Sequence, residues 1–267
     1  MYLGSSPSPG DALRQIRHSR YAAAFLAQTP FAQFWLHDLR AHTALALIMA
    51  RAAAAAMAPA ALTRRGVSDL TNLSMSAVHA LLAEACNRGD FQRNADAGDR
   101  RRVMLSPTPA TTTIFTGLVH DFLVTANGDA LHPAVAKAAA QEPTILSLYA
   151  RFACALVAAR RPGGRIWVQP AALAMLADLM TVGQDGARTD LLLDASVHRG
   201  VVRATASENI LFSAMAGLAE TTTDGRVRLS GEGRQYVTEH LEIWRTWSSE
   251  ARFALAAIAA PISTRTA

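Results

Sequence analysis

Along most of the chain, apolar residues recur three and four positions apart, the spacing that puts them on one face of a helix. After a Ser/Pro/Gly-rich stretch over residues 1–10, Asp11 is placed to cap a helix running to about Gln28. Pro30 opens a second helix, in which Phe31, Phe34, Trp35 and Leu39 share a face. It is expected to continue through Leu45, Leu47 and Ile48 to about Met57, with Pro59 as its stop. A short helix is predicted over 67–72, a turn over 72–74, and a helix capped by Ser74 or Ser76 that ends near Gly89. Its inward stripe is Val78, Leu81, Leu82 and Ala85. The period then shortens: residues 91–94 and 102–106 read as strands around a polar loop at 95–101. Pro107 and Pro109 lead into a helix over 111–125, and Asn127-Gly128 breaks it.

The second half has the same texture. Helices are predicted over 143–160, 170–181 (Leu173, Leu176, Ala177 and Met180 on one stripe), 189–197 and 206–220, the last opened by Ser207. Asp224-Gly225 is a tight turn, 226–230 a strand, and 231–258 a final helix pair. Helix, helix, short helix, helix, hairpin, helix thus occurs twice, at an offset of about 125 to 130 residues. The chain divides accordingly into a tail (1–10), a first repeat (11–127) and a diverged second repeat (134–260).

Composition narrows the class. Hydrophobic residues are 51%, charged residues 18% and aromatics 6% of 267, which excludes a disordered chain and supplies a core. The net charge of +5 permits an anionic partner without demanding one. Lys137 is the only lysine, so an anion site here would use planar guanidinium forks. Two cysteines, Cys86 and Cys154, exclude a disulfide framework and favour a reducing cytoplasm. No secretory signal is expected in residues 1–10. The alanine-heavy stretch 41–62, interrupted by Arg51, is expected to be a helix outside any membrane.

Residues 67–106, VSDLTNLSMSAVHALLAEACNRGDFQRNADAGDRRRVMLS, carry the most information. Short helix, turn and second helix have helix-turn-helix spacing, and a hairpin directly after them makes a winged helix. A helix lying in the major groove reads base edges there. With Val78, Leu81, Leu82 and Ala85 turned inward, the face left for DNA is Ser74, Ser76, Ala77, His79 and Ala80. Ser76 and His79 can hydrogen-bond to bases, and the alanines can touch a thymine methyl. Affinity must then come from Arg93 and from Arg100, Arg101 and Arg102 at the wing, suited to phosphates or a narrow minor groove. Alternatively, the wing is a solvated turn in which the arginines neutralise Asp96 and Asp99.

This stretch resembles the MarR family of bacterial regulators. The resemblance rests on Arg88-Gly89, the strand Phe91, Gln92, Arg93, the wing Asp96, Asp99-Arg100-Arg101, and the exit Leu105-Ser106. The family follows that strand with T-x-x-G, where this chain has Pro107-Thr108-Pro109. The second half keeps the exit better, as Leu229-Ser230-Gly231-Glu232-Gly233, but its wing is short and lacks the D-R-R signature. The resemblance implies a mainly α fold with small β-hairpin wings: two winged helix-turn-helix modules in tandem, like two protomers fused with pseudo-two-fold symmetry. It implies a role for Asp99 in orienting a wing arginine. It also implies a small apolar ligand between the end helices and the winged domain, which Phe31, Phe34, Trp35, Tyr236, Leu241, Trp244 and Trp247 would line if they are not core.

In the second half Ser207, Glu208, Asn209 and Ser213 are expected to face outward, flanked by Arg199, Arg203, Arg226 and Arg228; this half is the weaker DNA reader, or else a packing module that keeps the fold without the contact. Glu208 would accept from a cytosine amino group or repel phosphate. Cys86 is either a redox sensor or a small buried residue. His37 and His42, five apart, miss the helical spacing of a metal pair, and no Walker lysine or Gly-x-Ser-x-Gly is present. The expectation is therefore a cytoplasmic, nucleoid-associated regulator that is not an enzyme and needs no cofactor. It would bind double-stranded DNA sequence-specifically, most simply as a repressor occluding promoters. It would act as a monomer with an internal pseudo-dimer, or as a homodimer. A plasmid-type replication initiator with tandem winged helices, and a winged-helix module that binds proteins, stay open.

Overall fold

A computed structural model of the chain describes residues 13, 16, 19–54, 63–95, 103–127, 131–159, 170–199 and 201–263. In order the elements are α1 (Arg20–Leu26), α2 (Pro30–Trp35), α3 (Leu39–Ala54), α4 (Arg64–Thr71), α5 (Met75–Asn87), β1 (Phe91–Ala95), β2 (Val103–Pro107), α6 (Pro109–Asn127), α7 (Pro133–Ala139) and α8 (Pro143–Ala158). There follow α9 (Pro170–Val182), a 3-10 turn (Gly183–Asp185), β3 (Ala187–Arg188), α10 (Thr189–His198), α11 (Arg203–Met215), β4 (Ala219–Thr221), β5 (Arg226–Leu229) and α12 (Gly231–Ser263). The protein is mainly helical, with two small antiparallel sheets, β1-β2 and β3-β5-β4. Among the described residues no helix is long and apolar enough to cross a membrane.

Several boundaries differ from the sequence expectation. Asp11 lies outside the described residues. Leu13 and Ile16 are helical, but Ser19 starts a new helix, its hydroxyl accepting from Ala22 N–H at 3.0 Å. Thr29 caps α2 in the same way at 3.1 Å, with Pro30 at the first helical position. The helix expected from Pro30 to Met57 is broken between α2 and α3 at residues 36–38, and Met57 lies outside the described residues. Helix α7, capped by the His132 ring, was not anticipated. The segment 206–220 is two elements, α11 and β4, and the expected helix pair after 231 is the single helix α12.

The chain forms two compact units, each drawn from distant segments: Met1–Leu39 with Ala158–Thr246, and Arg40–Val157 with Trp247–Ala267. The stretches 11–127 and 134–260 are contiguous in sequence, whereas these units are not. In the first unit Leu13 packs in one cluster with Leu176, Leu179, Leu192, Leu218, Val227, Leu229 and Tyr236. Leu26 packs with Val201 and Ala206. In the second unit Ala44, Val67 and Val78 form a cluster, with Leu73, Leu81 and Leu82 against it. Nearby in sequence order, Phe115, Phe122, Tyr149 and Phe152 make a chain of ring contacts with centroids 5.1 to 6.1 Å apart. Such pairs add to the area they bury.

The element order recurs. α5 and α11 are 13 residues each and start 128 positions apart. Each ends on a glycine with positive φ, Gly89 (76°) and Gly217 (72°). At both ends the next N–H reaches back to a helix carbonyl: Asp90 to Ala85 and Leu218 to Ser213, each at 2.9 Å. That bond pattern satisfies carbonyls the helix leaves open and turns the chain straight into a strand.

Candidate nucleic-acid interface

In the unit built around residues 40–157, local chemistry fixes a helix–turn–helix. The Thr63 hydroxyl caps α4 by accepting from Gly66 N–H at 3.1 Å. Asn72 ends the helix at φ 59°, a left-handed position that Asn tolerates. Within the turn, Ser68 donates to the Leu73 carbonyl and Thr71 to the Val67 carbonyl, both at 2.6 Å. Ser74, not Ser76, caps α5, accepting from Ala77 N–H at 3.1 Å. Val78 and Ala85 are fully buried and hold α5 on its core.

The opposite face of α5 is open. Ser74, Ser76, His79 and Ala80 are exposed and Ala77 is half-buried. The Ser76 and Ser74 hydroxyls lie 3.0 Å apart. His79 Nδ1 sits 3.4 Å from an Arg64 guanidinium nitrogen. A guanidinium only donates, so this imidazole nitrogen is the acceptor, and the ring keeps its Nε2–H as a donor. Asn87 continues the exposed row. Arg64 reaches it through His79, and Arg65, next to it at the start of α4, is 86% exposed at 3.9 Å from Asp69. Sequence reasoning missed both arginines because it started the helix at Val67; Thr63, a good cap three residues before Gly66, was the available signal.

The hairpin follows at once. β1 and β2 pair antiparallel with Phe91 opposite Pro107 and Ala95 opposite Val103, and Phe91 is buried. Arg93, opposite Leu105, is exposed and meets no acid among the described residues. Asn94 donates across the strands to Ser106 at 2.8 Å. Asp96, Asp99, Arg100, Arg101 and Arg102, the expected wing residues, lie outside the described residues.

The corresponding helix of the other unit is built differently. α11 begins at Arg203, so Ser207 is no cap: it lies in the second turn and donates to the Arg203 carbonyl at 3.0 Å. The position before the helix is Val202, which has no side chain to cap with. Asn209 (7% exposed) and Ser213 (0%) point inward, contrary to expectation. They occupy the positions that Leu81 and Ala85 hold in α5, 128 residues earlier. Ser207 and Glu208 are exposed as expected, but beside them on that face stand Leu211 at 66% and Met215 at 81%.

The four expected flanking arginines are all paired with acids of their own unit. Arg203 reaches Asp194 at 2.9 Å, Arg226 reaches Asp224 at 3.1 Å and Arg228 reaches Glu220 at 3.0 Å. Arg199 and Asp178 form an ion pair that is largely buried. The Thr222 hydroxyl, and then Arg226, hold the Asp224 carboxyl below its usual range.

Other candidates resolve as core or surface. Trp35, Tyr236, Leu241 and Trp244 are buried, Phe31, Phe34 and Trp247 half-buried, and Arg151 lies 4.3 Å over the Trp247 ring. None of them lines the cavity of about 210 Å³ that opens in the first unit among Phe25, Leu26, Gln28, Gln33, His37, Ala171, Val201, Val202 and Thr205. Cys86 and Cys154 are half-buried, and burial pushes the Cys154 thiol up. His42 is buried, with its Nε2 3.0 Å from the Tyr149 hydroxyl. Among the described residues no group of three or more His, Cys, Asp or Glu is placed to hold a metal. No protein-family model, no curated protein and no solved structure matches the chain.

Proposed function

We propose that this protein is a double-stranded DNA-binding transcriptional regulator of the cytoplasm, a repressor that acts by covering promoter DNA, with two winged helix-turn-helix modules in one chain. The observation that carries the reading is the outer face of α5. It is a helix held by Val78 and Ala85, showing Ser76 and His79 to solvent, with Arg64 3.4 Å from His79 and with exposed Arg65 and Arg93 on the helix before it and the strand after it. Short neutral hydrogen-bonding side chains let a helix approach base edges, while guanidinium groups around them bind phosphate. The resemblance of residues 67–106 to MarR-like regulators supports the same assignment, and implies a wing that carries Arg100, Arg101 and Arg102.

The test is binding of the full chain to a random-sequence duplex pool as a function of salt, followed by selection of the bound sequences. Log affinity should fall linearly with log salt, at about 0.9 per phosphate neutralised. Changing Arg100, Arg101 and Arg102 together to alanine should flatten that slope by about 2 to 3. Binding that ignores salt overturns the DNA-binding reading, and a triple variant with the wild-type slope overturns the wing assignment.

A further inference from the structure

The two modules share an element order, but their outer faces carry different chemistry. We infer that only the module of α4, α5 and the β1-β2 hairpin reads DNA, so that one chain recognises a single major-groove half-site. This rests on the DNA-binding reading above and goes beyond it.

The comparison is position by position. In α5 the exposed row is Ser76, His79, Ala80, Glu84 and Asn87, with Ala83 half-buried on its edge. At the positions 128 residues later α11 shows Ala204, Ser207, Glu208, Leu211 and Met215. The exposed Glu84 has become the half-buried Phe212, Ala80 has become Glu208, and Ala83 and Asn87 have become Leu211 and Met215, so the row keeps one carboxylate and gains two large apolar side chains. Glu208 would sit against phosphate, and Leu211 and Met215 would cover base edges without pairing to them, leaving polar groups of the DNA desolvated. The cations differ in the same direction. Arg188, Arg203, Arg226 and Arg228 each already hold a carboxylate within 3.1 Å. To bind phosphate they would have to give up that partner, and the released carboxylate would remain beside the DNA. Among the described residues Arg93 and Arg64 hold no carboxylate, whereas Arg65 and Arg88 of the same module lie 3.9 and 3.3 Å from Asp69 and Asp90. Over the comparable stretches, residues 64–107 hold seven arginines against five acids, and residues 188–229 hold five against five. The first is net positive and the second neutral, so the long-range pull on a polyanion favours the first.

The experiment uses the full chain and a duplex recovered from the random pool, with one chain bound per duplex established by sedimentation. Three variants are compared: Arg93→Ala; Arg203→Ala, Arg226→Ala and Arg228→Ala together; and Leu211→Lys with Met215→Lys. These side chains are at least partly exposed, and surface ion pairs contribute little to folding, so each variant is expected to keep the wild-type circular dichroism melt. Arg93→Ala should lower the salt slope by about 1. The triple arginine variant and the double lysine variant should keep affinity within about twofold and leave the slope unchanged. Hydroxyl-radical footprinting should show one protected block of about one helical turn. A slope lowered by the triple variant, a slope raised by the added lysines, or two protected blocks from a single bound chain would overturn the single-reader inference while leaving DNA binding intact. A wild-type chain with no salt-dependent duplex binding would overturn both.

Discussion

His42 shows how a single buried side chain sets a pH limit on the fold. It is fully buried, beside the Tyr149 hydroxyl, and burial pulls its pKa from 6.5 down to about 3. The folded protein therefore keeps the ring neutral where the unfolded chain takes up a proton. His240, buried with its Nδ1 donating to the Tyr236 carbonyl at 2.9 Å, is shifted the same way. A histidine with a lowered folded pKa leaves stability intact above its unfolded value. It removes stability as pH falls below 6.5, down to the folded value. The loss from His42 is about 1.4 kcal/mol per pH unit in that window, or about 2 kcal/mol at pH 5. The urea midpoint should hold from pH 8 to 7 and fall steadily from pH 6.5 to 5, and His42→Gln should fall less steeply. A midpoint that is flat to pH 5 would mean that the ring titrates freely in the folded state.

Among elements, the close approach of α12 to residue 218 is the most constrained. A Cβ built on Gly233 would lie 1.9 Å from the Leu218 carbonyl oxygen, which is backbone and cannot rotate away. Gly89 faces the opposite case: its φ of +76° disfavours a side chain, but nothing lies within 4 Å of the added carbon. Gly89→Ala should cost about 1 kcal/mol, the ordinary penalty for the left-handed region, whereas Gly233→Ala should cost about 3 kcal/mol or more. Equal urea midpoints for the two variants would contradict the packing. The same elements show what could be read beforehand. Asn72, Ser74, Gly89 and the shift of period after it marked α4, α5 and the hairpin, and the structure places them within three residues of the expectation. α11 was misread because Val202 offers no capping oxygen and because Asn209 and Ser213, polar by type, are buried by position. The break at residues 36–38 has no proline or glycine, and β3 is two residues long, too short for any period to register. Pro133 after His132 is a legible helix start, the proline at the first helical position behind a capping side chain.

At the scale of the whole molecule, sequence repeats and compact units divide the chain differently, and stability should follow the units. The unit around α9–α11 takes Leu13, Tyr21, Phe25 and Leu26 from the far end of the chain, all buried. The Tyr21 ring lies tilted against the Trp244 ring of that same unit, centroids 5.5 Å apart. The other unit takes the last turns of α12, where Ala251 and Leu255 are buried and the Arg252 guanidinium donates to the Ala126 carbonyl at 2.8 and 3.2 Å. A polypeptide of residues 134–260, the contiguous second repeat, lacks the four N-terminal apolar side chains. At about 1.5 to 3 kcal/mol for each large buried side chain, their loss removes roughly 6 to 12 kcal/mol. That is the size of a domain's entire stability of about 5 to 15 kcal/mol. This fragment should therefore show no cooperative urea transition, although it contains every element of one repeat. Fragments 1–130 and 131–267 should likewise fail alone but recover a cooperative transition and resistance to protease when mixed, because together they restore both segments of each unit. A sharp two-state melt from 134–260 by itself would show that the N-terminal helices decorate that unit rather than complete its core.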